Sequence, residues 1–367
     1  MTVKNVHDAS EVDVSPLDPS RIGNAKISHA VRRLDIESIA RYLLKGTVVP
    51  KSGDVVLARV ETIRNHKRLE LDTGRKSILF PGDEVVVCYG NRYAPDQFCA
   101  EIPQDLGPCS LVAAGGMAAD VVSQHKSIAG ATDVTPIGLL ADSSTHRINL
   151  MQAAVSATEV PVVRPPTIAS VGTSMNSGKT LSAAQLVKGF KRCGYRVGAA
   201  KVTGTASGND TWLMRDAGAD EVLDFVDAGY VSTFGLPARD VQSILCTLVN
   251  RLGSMPLDVI VIEVADGIHQ METAALLESE CFRDLVDGVM FSARDASGAC
   301  AGIDLIRRLR HRLVAVSGAL GASPLAMEES RTATGELVAD VLELATAEMA
   351  EHILSRATGG APIAQAL

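Results

Sequence analysis

The sequence predicts two domains of different class. Residues 1–160 are expected to form a β-rich, small barrel-like α+β domain, and residues 167–367 an α/β domain with a mostly parallel sheet. The first half carries short valine runs that follow Gly-Asp pairs, which is typical of small barrels and sandwiches. The second half alternates aliphatic runs with longer amphipathic segments. A proline-rich stretch at 161–166 interrupts regular structure and is interpreted as the linker.

Composition limits the classes of function. A chain of 367 residues with 46% hydrophobic but only 4% aromatic residues can fill more than one core, mostly with aliphatic side chains. The net charge of −8 argues against broad nucleic-acid or anionic-membrane binding, so no nucleic-acid partner is expected. No apolar run is long enough to span a membrane. Seven cysteines without a Cys-x-x-Cys pair, and no apolar leader, indicate a cytoplasmic protein with reduced thiols.

Individual elements follow from local patterns. In the first domain, residues 53–60 and 82–89 are predicted strands and residues 28–46 a helix. Residues 109–141 suggest one βαβ unit, with its short helix from Met117 to His125. In the second domain the predicted strands are 167–171, 196–201, 258–263, 287–292 and 312–316, and the predicted helices 179–192, 237–252, 300–311 and 335–355. The role of residues 1–160 stays open.

The most informative motif lies between the first strand and first helix of the second domain. It reads Gly-Thr-Ser-Met-Asn-Ser-Gly-Lys-Thr, a loop whose backbone N–H groups can surround phosphates at a helix start. Lys179 can reach the β- and γ-phosphates, and Thr180 can ligate Mg²⁺. The first glycine stands one position earlier than in the usual pattern. The predicted nucleotide-binding residues are Gly172, Thr173, Ser174, Met175, Asn176, Ser177, Gly178, Lys179 and Thr180.

Two charged residues end neighbouring predicted strands. Parallel strands bring their carboxyl ends to one edge, where ligands bind, so Lys201 and Glu263 are expected near the loop. A cation at position 201 can neutralise a transferring phosphoryl group or hold a substrate carboxylate. Glu263 suits Mg²⁺, a hard ion that prefers oxygen, and would ligate it directly or through water.

Other polar residues near these ends have more than one interpretation. Asp210 would either ligate metal or act as the N-cap of the next helix. Asp266 would contact metal, hold the attacking group or stabilise the turn before Gly267. His269 is more simply explained as a surface or hydrogen-bonded histidine than as a catalytic one, and Arg294 as part of a surface ion pair than as a phosphate ligand. The histidines lack zinc-site spacing.

The loop, Lys201 and Glu263 together resemble the dethiobiotin synthetase and cobyrinic acid a,c-diamide synthase group. The resemblance covers roughly residues 167–320 and accounts for the shifted first glycine. It implies ATP, Mg²⁺ and γ-phosphoryl transfer to a carboxylate or carbamate, with Lys179, Thr180, Lys201 and Glu263 carried over. Ser174 stands where dethiobiotin synthetases have an aspartate, and no glutaminase domain fits after residue 355. Many relatives of this type build their sites across a dimer, so a homodimer is one expected state.

We therefore expect an ATP- and Mg²⁺-dependent ligase or kinase acting on a small carboxylate-type substrate, with GTP not excluded. Lys179, Lys201, Glu263 and Asp266 are the expected catalytic residues, and Thr180, Glu263 and Asp210 the expected metal ligands. The alternative is a nucleotide-hydrolysing switch or assembly factor that acts on a protein partner, because one fold hosts many tasks.

Overall fold

A computed structural model describes residues 12–156 and 164–360 of the chain. The chain divides into two compact units. The first contains residues up to 92 together with 97–153, and the second contains 93–96 together with the residues from 154 onward. Residues 161–163 of the predicted linker lie outside the described residues.

The N-terminal half consists mainly of strands. They are β1 Val12–Pro16, β2 Lys26–Ile27, β3 Tyr42–Gly46, β4 Val55–Thr62, β5 Arg68–Glu70, β6 Lys76–Ile78, β7 Glu84–Tyr89, β8 Arg92–Tyr93, β9 Phe98–Glu101, β10 Cys109–Ala113, β11 Met117–Gln124 and β12 Thr132–Ala141. Two short helices accompany them, α1 Pro19–Asn24 and α2 Ile36–Ile39.

The first unit contains a closed barrel. Strands β12, β4, β7 and β11 pair in that order, and β10 pairs with both β11 and β12, so the five strands complete a ring. Closure leaves no open edge in this ring. Alternate aliphatic side chains fill the interior, among them Val56, Ala58 and Val60 of β4 and Val85 and Val87 of β7. The predicted small barrel-like, β-rich domain is therefore confirmed.

Two helix predictions in this unit are wrong. Residues 28–46 form a 3-10 turn at His29–Val31, the short α2 and then strand β3, which pairs with β1 and β12. The segment predicted as a helix from Met117 to His125 is strand β11, so residues 109–141 form antiparallel pairs and not a βαβ unit. In both places strand pairing outweighs a local helical pattern, because burial against neighbours decides strand preference.

The second unit alternates strands and helices. Its strands are β13 Thr167–Gly172, β14 Val197–Lys201, β15 Glu221–Asp224, β16 Val259–Glu263, β17 Gly288–Ser292 and β18 Leu313–Ser317. Its helices are α3 Lys179–Arg192, α4 Gly208–Asp216, α5 Ala238–Gly253, α6 Met271–Glu278, α7 Glu280–Leu285, α8 Ala296–Arg308, α9 Pro324–Thr334, α10 Val341–Leu344 and α11 Ala347–Thr358.

The six strands form one parallel sheet in the order β15-β14-β16-β13-β17-β18. Both faces are covered, as continuous aliphatic strands require. In β16, Val259 and Val261 pack in a core cluster with α3, α4 and α11, while the alternate residues Ile260 and Ile262 are also fully buried. The predicted apolar face of α3 packs in this cluster through Ala183, Leu186, Val187 and Phe190.

The end of the chain differs from the prediction of one helix over 335–355. Residues 341–344 form α10 and residues 347–358 form α11. Asp340 and Glu343 make a reciprocal capping box, and Thr346 then caps α11, so each cap starts a separate helix.

Candidate functional site

The predicted phosphate loop joins β13 to α3 and depends on two glycines. A Cβ on Gly172, the last residue of β13, would lie 2.5 Å from Ser177 Oγ and 2.6 Å from the Ser292 carbonyl oxygen. Gly178 caps α3 with a φ of 98°, in the left-handed region that glycine adopts at no steric cost. The shifted first glycine therefore permits the close approach between the strand end and the loop.

Lys179 opens α3 and is held from two sides. The buried Ser170 hydroxyl of β13 donates to the Lys179 carbonyl oxygen at 3.0 Å. The Lys179 ammonium donates to the Ser174 carbonyl oxygen at 2.7 Å, so the side chain lies back along the loop. Burial lowers the pKa of Lys179, and the nearby carboxylates of Glu263 and Asp266 oppose that shift. The ammonium is thus largely desolvated. It lies beside the loop that the sequence predicts to bind phosphates.

The ends of β14 and β16 lie beside the loop, next to β13. In the ladder Glu263 of β16 stands opposite Ser170 of β13 on one side and Lys201 of β14 on the other. The Thr180 hydroxyl donates to Glu263 Oε1 at 2.8 Å. The expectation that Lys201 and Glu263 meet at one sheet edge beside the loop agrees with this geometry.

Glu263 is the most deeply buried acid of this cluster. Its residue is 2% exposed, and burial raises the pKa of the carboxyl while Lys201 and Lys179 act to lower it. Glu263 Oε2 is buried without a hydrogen-bond partner among the described residues. Mg²⁺ in phosphate-binding proteins is ligated by few protein oxygens together with the phosphates of the substrate. The unpartnered Glu263 oxygen and the Thr180 hydroxyl are oxygens of this kind. The described residues contain no group of three His, Cys, Asp or Glu arranged around one metal position.

Lys201 forms a buried ion pair with Asp210 of α4. Burial would lower the pKa of Lys201, but Asp210 and Glu263 outweigh it and the pKa is raised. The ammonium is therefore charged at neutral pH. Asp210 is the third residue of α4 and Ser207 occupies the N-cap position, so the interpretation of Asp210 as an N-cap is wrong.

These residues line one cleft of about 450 Å³. Its charged lining comprises Lys179, Lys201, Asp210, Glu263 and Asp266, and the loop contributes Met175, Asn176, Gly178 and Thr180. Gly172, Thr173, Ser174 and Ser177 lie in the loop but not in this lining. Asn209 and Leu213 of α4 also line the cleft and were not predicted. Their spacing of four residues on one helix face, beside Asp210, is the signal that could have found them.

The segment that carries Asp266 is held by two threonines that sequence reasoning missed. The Thr203 hydroxyl, just after β14, donates to the Ala265 carbonyl oxygen. The Thr273 hydroxyl of α6 donates to the same oxygen at 2.7 Å. Thr203 lies 62 residues from Ala265 in the sequence and Thr273 only eight, so the fold brings the first hydroxyl to this oxygen and the turn into α6 brings the second.

The two side chains interpreted as surface residues are indeed exposed. His269 and Arg294 have exposed side chains and do not line the cleft. In the described part of the chain, no helix has the length and apolar character to cross a bilayer.

No family model and no curated protein matches the chain. Among solved structures, the signal recognition particle 54 kDa protein from Aeropyrum pernix, in complex with GDP, matches with 18% identity and a TM-score of 0.37; the match covers 57% of this chain and 53% of that chain. The signal recognition particle receptor FtsY from Elizabethkingia anophelis matches with 15% identity and a TM-score of 0.35, over 57% and 69% of the two chains.

A nucleotide-binding protein from Archaeoglobus fulgidus, in complex with ADP, matches with 13% identity and a TM-score of 0.35, over 55% of this chain and 93% of that chain. With TM-scores of 0.37 or less, these likenesses assign no family. The parallel sheet, the loop between its first strand and helix, and the Lys179-Thr180 pair at the helix start show that the second unit has the P-loop NTPase fold.

Proposed function

We propose that the second unit binds a magnesium nucleoside triphosphate in the cleft and cleaves the bond to its γ-phosphoryl group. One observation carries the proposal. The desolvated Lys179 ammonium, the Thr180 hydroxyl and the orphaned Glu263 oxygen converge on the same cleft at the edge of a parallel sheet.

Each residue has a role that follows from its position. The loop N–H groups and Lys179 would bind the phosphates, with the ammonium exchanging the Ser174 carbonyl oxygen for a phosphate oxygen. Thr180 and Glu263 would hold Mg²⁺, which supplies charge neutralisation to the phosphates when bound. Lys201, kept charged by Asp210, would stabilise negative charge on the transferring group. Asp266, which also lines the cleft, would orient the attacking group.

We favour hydrolysis with water as acceptor, coupled to a protein partner, as the first candidate function. The cleft of about 450 Å³ is near the lower end of the 300–1,000 Å³ typical of small-molecule sites. A nucleoside triphosphate is itself a ligand of about that size and would occupy most of the cleft. The space left would admit water as the acceptor more readily than a second small molecule. The Asp266 segment continues into α6 and α7, so a change at the γ-phosphate could alter this part of the surface.

The second candidate is transfer to a carboxylate, as in the dethiobiotin synthetase group. Lys201 favours it, because a charged ammonium beside the γ-phosphate site could also bind a substrate carboxylate. Two observations argue against a site identical to that of the dethiobiotin synthetases. Ser174 replaces the aspartate of that group, and Lys201 is already paired with Asp210.

The first test compares wild type with Lys179→Ala. It measures the release of inorganic phosphate and of the nucleoside diphosphate from MgATP and from MgGTP. We expect release by wild type to fall at least about tenfold in the variant, whose circular dichroism and melting should stay close to wild type. Equal release by the two proteins would refute the assignment of the cleft.

Two measurements then separate the candidates. A switch requires hydrogen exchange in residues 264–285 to differ between complexes with a non-hydrolysable triphosphate analogue and with the diphosphate. A transferase requires a phosphorylated or ligated product, detected by mass spectrometry, when a mixture of small carboxylic acids is added. Such a product would replace the first candidate by the second.

A further inference from the structure

Two cysteines face each other on neighbouring helices away from the cleft lining. Cys246 lies on α5, and Cys281 is the second residue of α7. The Cys281 thiol donates to the Gln242 carbonyl oxygen at 3.8 Å, which is one helical turn before Cys246. This contact brings the Cys281 side chain to the turn of α5 that leads to Cys246, so the two thiols are neighbours that affect each other's pKa. The sequence separates these residues widely, and only the packing of α5 against α7 makes them neighbours.

The surroundings give the two sulfurs different chemistry. The neighbouring Cys281 thiol lowers the pKa of Cys246, while the Cys246 thiol and burial raise the pKa of Cys281. A thiolate is the nucleophilic form, so Cys246, whose pKa is lowered, is the more reactive of the two thiols. Both residues are half-buried, which leaves them within reach of a small reagent.

We propose that Cys246 and Cys281 form a redox-active dithiol, a modification site that a low-molecular-weight disulfide such as oxidised glutathione closes to an intramolecular disulfide. The Cys246 thiolate attacks one sulfur of the reagent, whose S–S bond breaks and releases one thiolate. Cys281 then loses its proton and attacks the Cys246 sulfur of the mixed disulfide, releasing the second thiol. The two cysteines are oxidised by two electrons in total, and the reagent is reduced to two thiols.

The location gives the bond a structural effect. Helix α5 leads into β16, which ends at Glu263, and α7 leads into β17. These strands lie on either side of β13, the strand before the phosphate loop. A disulfide would therefore cross-link the helices that precede β16 and β17, the two strands next to β13.

The test exposes reduced, folded protein to oxidised glutathione near pH 7, then alkylates it after denaturation and counts modified cysteines by mass spectrometry. We expect two of the seven thiols to be lost, a cross-linked peptide pair containing Cys246 and Cys281, and full recovery with dithiothreitol. Cys281→Ser should stop at a glutathione adduct on Cys246, because the resolving thiol is gone. Cys300→Ser, at another half-buried cysteine, should close as wild type does.

Several results would overturn the proposal. They are a stable glutathione adduct on wild-type Cys246, a disulfide between two chains, a bond that involves another cysteine, or no loss of thiols in the folded protein. Peptide mapping of the wild type distinguishes these outcomes even if a variant folds poorly.

Discussion

Glu263 shows how one buried side chain can combine the chemistry of a site. Its carboxylate contacts Thr180, stands opposite Lys201 in the ladder and keeps one oxygen without a partner among the described residues. Burying a carboxylate costs free energy unless it is compensated, and the two lysines supply part of that compensation. In the proposed function, a bound cation would supply the rest.

Substituting this acid gives the first prediction. Glu263→Gln keeps the shape but removes the charge, so we expect nucleotide turnover to fall by about 10²-fold or more, with melting close to wild type. Glu272→Gln is the matched control, because Glu272 is a buried acid of α6 outside the cleft lining, and its turnover should stay near wild type. Phosphate release checks both variants, and wild-type turnover in Glu263→Gln would contradict the assignment.

A second prediction concerns His66 in the first unit. Burial lowers the pKa of this histidine to about 4, and its ring contacts the Leu111 carbonyl oxygen at 3.1 Å. The unfolded chain, with a pKa near 6.5, binds more protons between these values, so stability must fall as pH decreases from about 6.5 to about 4. The full loss amounts to about 3 kcal/mol for a shift of this size.

Urea unfolding at several pH values in that window checks the prediction. His66→Gln should reduce the pH dependence of the free energy of unfolding by most of that amount. His125→Gln, at an exposed histidine, should leave the dependence unchanged. An unaltered slope in His66→Gln would show that other groups are responsible.

At the scale of elements, close packing places glycines inside helices. Gly189 lies within α3, where a Cβ would come within 2.4 Å of the Leu344 carbonyl oxygen of α10 and 2.9 Å of the Ala350 Cβ of α11. A glycine costs an isolated helix about 1 kcal/mol relative to alanine. Here the glycine allows α10 and α11 to approach α3, and that packing outweighs the lost propensity.

Gly189→Ala should therefore destabilise the protein by about 1–3 kcal/mol despite the better helix former, because the backbone carbonyl cannot move aside easily. Gly23→Ala is the control within α1, where a Cβ would meet nothing within 4 Å, and it should be neutral or stabilising. Unfolding in urea measures both free energies. A stabilised Gly189→Ala would mean that α10 can shift without cost.

The elements also show what sequence patterns can and cannot predict. Strands such as 258–263 and the helix 179–192 were predicted within a residue or two, because long aliphatic runs and regular apolar spacing have few alternatives. The helix predictions for residues 28–46 and 117–125 were wrong, because pairing with other strands decides the structure of these segments. The short α6 and α7 were missed since neither has a long amphipathic pattern.

For the whole molecule, ligand binding gives a further prediction. The residues at the ends of β14 and β16 come together only in the folded protein. A nucleotide that binds the cleft must therefore stabilise the folded state by mass action. At about 100 times its dissociation constant, MgATP or MgGTP should add about 2.7 kcal/mol, which raises the melting temperature by several degrees. The Lys179→Ala variant should lose most of this shift. Scanning fluorimetry measures it, and equal shifts in both proteins would place binding elsewhere.

The fold class and the charged residues of the cleft could be predicted because they lie in local motifs at strand ends. Lys179, Lys201 and Glu263 each follow a recognisable run, and a parallel sheet brings such ends together. The roles of Thr203 and Thr273 could not be predicted, because their shared contact with Ala265 depends on the relative position of β14 and α6. The pairing of Lys201 with Asp210 was missed for the same reason.

The register of β14, β16 and β13 at positions 201, 263 and 170 has one more consequence. Successive strand residues point to opposite sides, so inserting a single residue within β16 would turn its terminal acid away from the lysine while hardly changing the composition. The backbone ladder, more than the length of the connecting loops, therefore fixes the spacing of the charges. Exchange of loops that do not line the cleft should therefore be tolerated in this protein where strand insertion is not.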